Sequence, residues 1–328
     1  MKRRALMSLV TSAALGATPP SSAQTPRVAR IGFLGYRPPS DPQTALLWKD
    51  IVDELARLGW EDGRNLVIER RSALNYPRNY PAQAEELVAA RVELIFAPGD
   101  AAAAAAFKAT KTIPIVMHGV AAVELGYARS LARPGGNVTG FVYQALDFYA
   151  KEFDIVRGIR PDLKKLALAW RPDDSPVAAL GARNWLAAAQ QHGVGLVLLP
   201  APQSLADIDA LLAAAKGEGV QALVVGIRPF LLGAGWQKIN AWAIDHKVLP
   251  YAGTWARGEV VAAFGPVVPE IWRVTLGHVD RILRGAKPAD IPIEQPTRFD
   301  LVINRKLARA MGLTIPLSVL LQATEVIE

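Results

Sequence analysis

Residues 28–35 read VARIGFLG, and residues 45–58 read ALLWKDIVDELARL before Gly59. The first stretch is apolar apart from Arg30 and ends on glycine, the pattern of a strand buried on both faces of a parallel sheet. The second carries Leu47, Ile51, Leu55 and Leu58 at helical spacing and stops at a glycine. A buried strand followed by an amphipathic helix opens a βαβ unit, and that unit sets the expectation for the chain.

The alternation continues. Strands are predicted at Asn65–Arg71, Glu93–Ala97 and Ile113–His118, with helices at Pro81–Ala90, Ala101–Thr110 and Val123–Ala132. The cluster Arg133-Pro134-Gly135-Gly136 then punctuates the chain, and Asn137–Phe141 makes one more short strand. A second series follows, with strands at Leu166–Trp170, Gly195–Leu199, Ala222–Ile227 and Val248–Tyr251. Its helices are predicted at Pro176–Gln191, Leu205–Ala215 and Trp236–Asp245, and a further helix at Val268–Leu283. Two such series imply an α/β chain of two Rossmann-like lobes with parallel sheets.

The length of 328 residues suits two lobes of about 120 to 160 residues each. The helix at 268–283 and the tail beyond Gly285 are left over, so the chain is expected to cross between lobes three times, near Gly140, Gly265 and Pro292. This gives an N-terminal lobe of residues 27–141 plus 265–291 and a C-terminal lobe of residues 142–264 plus 292–328.

Lys2, Arg3 and Arg4, the apolar run from Ala5 to Ala17, and Ser21-Ser22-Ala23 have the order of a secretory signal peptide, residues 1–23, with cleavage expected after Ala23. With no cysteine in the chain, disulfides, thiolate metal sites, thiol catalysis and attachment through a lipidated N-terminal cysteine are excluded. A free periplasmic protein is therefore expected. The formal charge of +7 falls by three to +4 once Lys2, Arg3 and Arg4 are removed, and the remaining basic residues are interleaved with acidic ones. No basic stripe tracks a phosphate backbone, so nucleic acid is not an expected partner. His118, His192, His246 and His278 show no metal-ligand spacing. The chain has no G-x-S-x-G elbow, Walker loop or G-x-G-x-x-G after its first strand. No catalytic constellation, metal or cofactor is expected.

Several longer stretches are more specific. They are RIGFL at 30–34, ELARLGWEDGRN at 54–65, SLARPGGNVTG at 130–140, GAKPADIPIEQPT at 285–297, and Asn304 to Glu328 with its MGLTIP segment. Together these resemble the ABC-transporter substrate-binding family that includes tryptophan- and phenylalanine-type binding proteins, over essentially the whole chain from Arg30. The resemblance implies the type I periplasmic-binding fold with a three-crossing hinge. It also implies a small-molecule ligand of amino-acid-like or carboxylate-bearing kind, ABC permease subunits of the inner membrane as partners, a monomer, and no enzymatic activity. Two other readings stand beside it, a ligand-sensing protein for a membrane receptor and a secreted enzyme. The chain departs from the family pattern where ligands tend to sit: Ala121-Ala122 replaces an Asp-Pro pair, Pro98-Gly99-Asp100 replaces a small hydroxyl and proline, and Phe264 stands where a tyrosine precedes the glycine.

Ligands of open parallel sheets bind outside the carboxyl ends of the strands. In the first lobe this singles out Tyr36 and Tyr143, whose rings suit either stacking on a planar ligand or a surface or hinge-packing role. It also singles out Gly99, Asp100 and Ala101, where a helix N-terminus favours an anion. Asp100 fits either a plain N-cap or a ligand contact. His118 fits a ligand contact or a bond to a backbone carbonyl. In the second lobe Arg171 and Arg228 either clamp a carboxylate or phosphate with their forked donors or are solvated loop arginines, and Trp170 and Trp255 are the aromatic candidates. Trp48, Trp185, Trp242 and Trp272 fall on predicted helices and are assigned to core packing or lobe surface.

Overall fold

The computed structural model describes residues 27–40, 42–142, 145–171, 176–226 and 229–328. The export signal read at residues 1–23, and the candidates Tyr143 and Arg228, lie outside the described residues. The first unit runs β1 (Ala29–Gly35), α1 (Pro42–Arg57), β2 (Leu66–Ser72), α2 (Tyr80–Ala89), β3 (Leu94–Pro98), α3 (Asp100–Ala109), β4 (Ile115–Gly119) and β5 (Val138–Val142). Its five strands lie in the order β2-β1-β3-β4-β5, all parallel. Strand β1 sits inside the sheet, which is why its sequence is an apolar run: Ile31, Phe33 and Leu34 are all buried.

The second unit runs α4 (Ala145–Ile159), β6 (Lys165–Trp170), α5 (Pro176–Gln191), β7 (Gly195–Pro200), α6 (Ile208–Glu218), β8 (Ala222–Val225), α7 (Ala234–His246), β9 (Leu249–Gly253) and β10 (Ala262–Pro266). After α8 (Val268–Leu283) the chain ends in β11 (Phe299–Asn304), α9 (Arg305–Ala310), α10 (Leu317–Leu320) and β12 (Glu325–Ile327). These seven strands form a second sheet, β12-β11-β10-β9-β8-β6-β7, in which only the β10–β11 pair is antiparallel.

Helix α8 follows the second sheet in sequence but packs on the first. Trp272, Leu276, Val279 and Leu283 recur at helical spacing and enter one core with Ile31, Phe33, Leu94 and Phe96. Each such side chain contributes about 1.5–3 kcal/mol by leaving water. Beyond the helix, the His278 Nε2 lies 3.1 Å from the Pro292 carbonyl, and Thr139 donates to the Ile291 carbonyl at 2.8 Å. The returning strand of chain then lies along β5: Glu294 N–H donates to Gly140 O and Val142 N–H to Glu294 O, each at 2.9 Å. The chain thus passes between the sheets after β5, after β10, and between Glu294 and β11.

Three local expectations need correcting. Residues 123–132 form turns instead of a helix: the N–H groups of Tyr127 and Ala128 both converge on the Ala122 carbonyl, and Gly126 takes φ +73°. The apolar residues there, Tyr127, Ala128 and Leu131, pack onto the first core without a helical ladder. Helix α4 and strand β10 were not anticipated; Phe153, Val156 and Ile159 of the helix fill the second core beside Phe264 of the strand.

Candidate functional site: a cleft between the two sheets

A cavity of about 490 Å³ opens between the carboxyl ends of the two sheets. That volume falls in the range of small-molecule sites. Among the described candidates, Tyr36, Gly99, Asp100, Ala101, His118, Trp170, Arg171 and Trp255 all line it.

On the first-sheet side, Gly99 at φ +111° ends β3 and caps α3, a backbone geometry that favours glycine. Asp100 is therefore the first helical residue and not the N-cap. Its Oδ1 accepts from the Val120 N–H at 2.9 Å, so the carboxyl ties the β3 loop to the β4 loop. Burial raises its pKa to about 6. The His118 ring makes no hydrogen bond among the described residues and stands edge-on to Trp272, centroids 5.2 Å apart. Burial lowers its pKa to about 4, so the ring is neutral at pH 7. The Tyr36 hydroxyl donates to the Asn75 carbonyl at 2.7 Å, which fixes its ring as cleft wall. Arg37 also lines the cavity.

On the second-sheet side, Trp170 donates its indole N–H to the Ala178 carbonyl at 2.9 Å, and Arg171 follows it into the cavity wall. Trp255 meets Trp272 edge-on at 6.2 Å. The side chain least visible in the sequence is Glu152 of α4, which lines the cavity while only 6% exposed. Tyr251 donates its hydroxyl to Glu152 Oε1 at 3.2 Å, and the Trp185 side chain is a second hydrogen-bond partner. Burial outweighs both and raises the Glu152 pKa to about 8.

The assignment of helix tryptophans to plain packing is also corrected, because Trp48, Trp185 and Trp272 line the cavity. A helix facing a sheet end can bury a residue in the core on one side and show it to the cleft on the other. The buried Trp272 indole N–H and the Thr44 hydroxyl have no hydrogen-bond partner among the described residues. Among the described residues, no group of three acidic, histidine or cysteine side chains is placed to hold a metal ion.

Two α/β units with facing sheet ends and a cleft between them define a two-lobed binding fold of the type I periplasmic kind. The chain belongs to the family described as ABC transporter substrate binding protein, whose profile matches residues 40–327. A 128-residue stretch is 34% identical to the tyrosine-binding protein of Clostridioides difficile (strain R20291), covering 38% of this chain and 36% of that protein's length. An ABC domain from Streptococcus pneumonia in complex with L-Trp is similar in structure, with a TM-score of 0.78 at 24% identity, 92% of this chain and 100% of that one. A conserved domain protein of Vibrio cholerae gives a TM-score of 0.79 at 24% identity over the same shares.

Proposed function

We propose that the chain is the periplasmic solute-binding component of an ABC uptake system, exported by residues 1–23. It captures a small amino-acid-like or carboxylate-bearing ligand between its lobes and releases it unaltered to permease subunits of the inner membrane. The observation that carries this reading is the cavity walled from both sheets, with Trp48, Trp170 and Trp255 offering flat apolar surface and Arg37 and Arg171 offering guanidinium groups on opposite sides. Rings bury the ligand body and the forked donors orient a carboxylate. In this reading residues 27–141 plus 265–291 and residues 142–264 plus 292–328 are the two lobes, and the protein acts as a monomer.

A tyrosine-binding relative and a tryptophan-bound structure of like fold support an aromatic ligand. The test is a thermal-shift screen of the mature protein against amino acids, purines and organic acids. A ligand present at 100 times its dissociation constant adds about 2.7 kcal/mol of stability and raises the melting temperature. Absence of any shift across the amino acids and organic acids would overturn the ligand class.

A further inference from the structure

The second-sheet side of the cavity holds a carboxyl inside a ring of aromatic side chains. Glu152 is 6% exposed, and Phe148, Tyr149, Trp185, Tyr251 and Phe264 share the cavity wall with it. Phe148 and Phe264 are stacked at 5.5 Å, and Trp185 and Tyr251 meet edge-on at 6.1 Å. The two polar partners of the carboxyl, Tyr251 and Trp185, are both neutral donors. Among the described residues no lysine, arginine or histidine is paired with it.

Two donors aimed at one carboxyl suit its anionic form, yet the site supplies no counter-charge. A buried anion needs one. Ring faces attract cations through their quadrupoles, and a protonated amine in such an enclosure gains from both the rings and the carboxylate. We propose that Glu152 is the counter-charge for a protonated amine on the ligand, so that the cleft selects amine-bearing aromatic compounds over their des-amino acids. This deepens the cleft reading given above and rests on it.

The other ionisable groups are placed to leave that role to Glu152. Of the elements that pack on α4, α5 carries Arg183, which is exposed, while β10 and α10 bring no ionisable side chain, and Tyr251 on β9 is the bonded donor. Tyr149 shares the helix. Asp100, on the opposite wall, is already bound to the Val120 N–H, while His118 is neutral and Arg37 and Arg171 repel an ammonium.

The experiment is isothermal titration of the wild-type chain and Glu152→Gln with three probes: tryptamine, indole-3-propionate and L-tryptophan, repeated in buffers of different ionisation enthalpy. L-Tryptophan should bind wild-type protein more tightly than indole-3-propionate, which lacks only its amine, and tryptamine and L-tryptophan should each release close to one proton per ligand at pH 7 as Glu152 ionises. Glu152→Gln should weaken tryptamine on the order of tenfold to a hundredfold and abolish proton release. The buffer comparison on wild-type protein needs no variant, so it decides even if Glu152→Gln folds poorly. Indole-3-propionate binding as tightly as L-tryptophan, or tryptamine binding without proton release, would overturn the amine assignment and leave the cleft reading standing. No binding of any probe would overturn both.

Discussion

The Asp100 carboxyl accepts the Val120 N–H at 2.9 Å across twenty residues of chain and, with the Gly99 N–H bond to the His118 carbonyl at 2.9 Å, ties together the β3 and β4 strand ends on the first-sheet wall of the cleft. His118, two residues before Val120, shares that wall. Burial moves the two groups in opposite directions, Asp100 from 3.8 to about 6 and His118 from 6.5 to about 4. Asp100 thus contributes stability that is complete below pH 3.8 and lost as pH rises through about 6. His118 contributes stability that is complete above pH 6.5 and lost as pH falls through about 4. Between pH 4 and 6 the two slopes oppose each other. Urea unfolding across that range should show Asp100→Asn steepening the acid loss and His118→Gln relieving it. Parallel profiles for both variants and the wild type would contradict the burial argument.

Glu152 gives a wider window. Its pKa lies at about 8 in the folded chain against an ordinary 4.5, so its contribution is complete below pH 4.5 and lost as pH rises through 8. Glu152→Gln keeps the shape and an acceptor for Tyr251 but removes the titration. The variant should match the wild type near pH 5 and exceed it by a few kcal/mol near pH 9, since each pKa unit corresponds to about 1.4 kcal/mol. Denaturant midpoints at the two pH values check this.

Within the SLARPGGNVTG stretch the glycines are not equivalent. A Cβ on Gly140, which has φ +143°, would lie 1.9 Å from the Met117 carbonyl oxygen on the neighbouring strand. A Cβ on Gly136 would meet nothing nearer than 3.8 Å. Gly140→Ala should cost about 3 kcal/mol or more, because backbone must move and the dihedral is strained. Gly136→Ala should stay within about 1 kcal/mol. Thermal melts of the two variants, side by side, test the difference.

The parts of this fold that sequence patterning reveals are those where a single environment dominates. β1 is legible because both of its faces are buried, and α8 because Trp272, Leu276, Val279 and Leu283 recur at helical spacing on its buried side. Residues 123–132 carry a similar stripe yet bend into turns, since Gly126 in a left-handed conformation ends any ladder after one turn. The strand-end loops place Asp100, His118, Arg171 and Trp255 at the cleft by topology alone. Glu152, Trp185 and Trp272 escape that rule because they sit within helices, where spacing alone does not separate core from cavity. Glu152 lies in α4, whose helical spacing is masked by the short Phe148-Tyr149 and Glu152-Phe153 pairs. A carboxylate amid Phe148, Tyr149 and Phe153 was the available signal, since an acid in an apolar helix face demands a partner.

Arg37 and Arg171 line the cavity from opposite sides, and the chain passes between the sheets by three segments. A ligand touching both walls binds the closed arrangement better than the open one, and that difference in affinity is what shifts the population toward closure. Small-angle scattering of the protein should therefore show a smaller radius of gyration with a saturating tight ligand than without it. Arg171→Ala should weaken a carboxylate ligand by about 2 to 3 kcal/mol, and so require more ligand for the same contraction. Superimposable profiles with and without a ligand that demonstrably binds would mean that the cleft accepts its guest without moving, and the rotation of one lobe against the other would have to be abandoned.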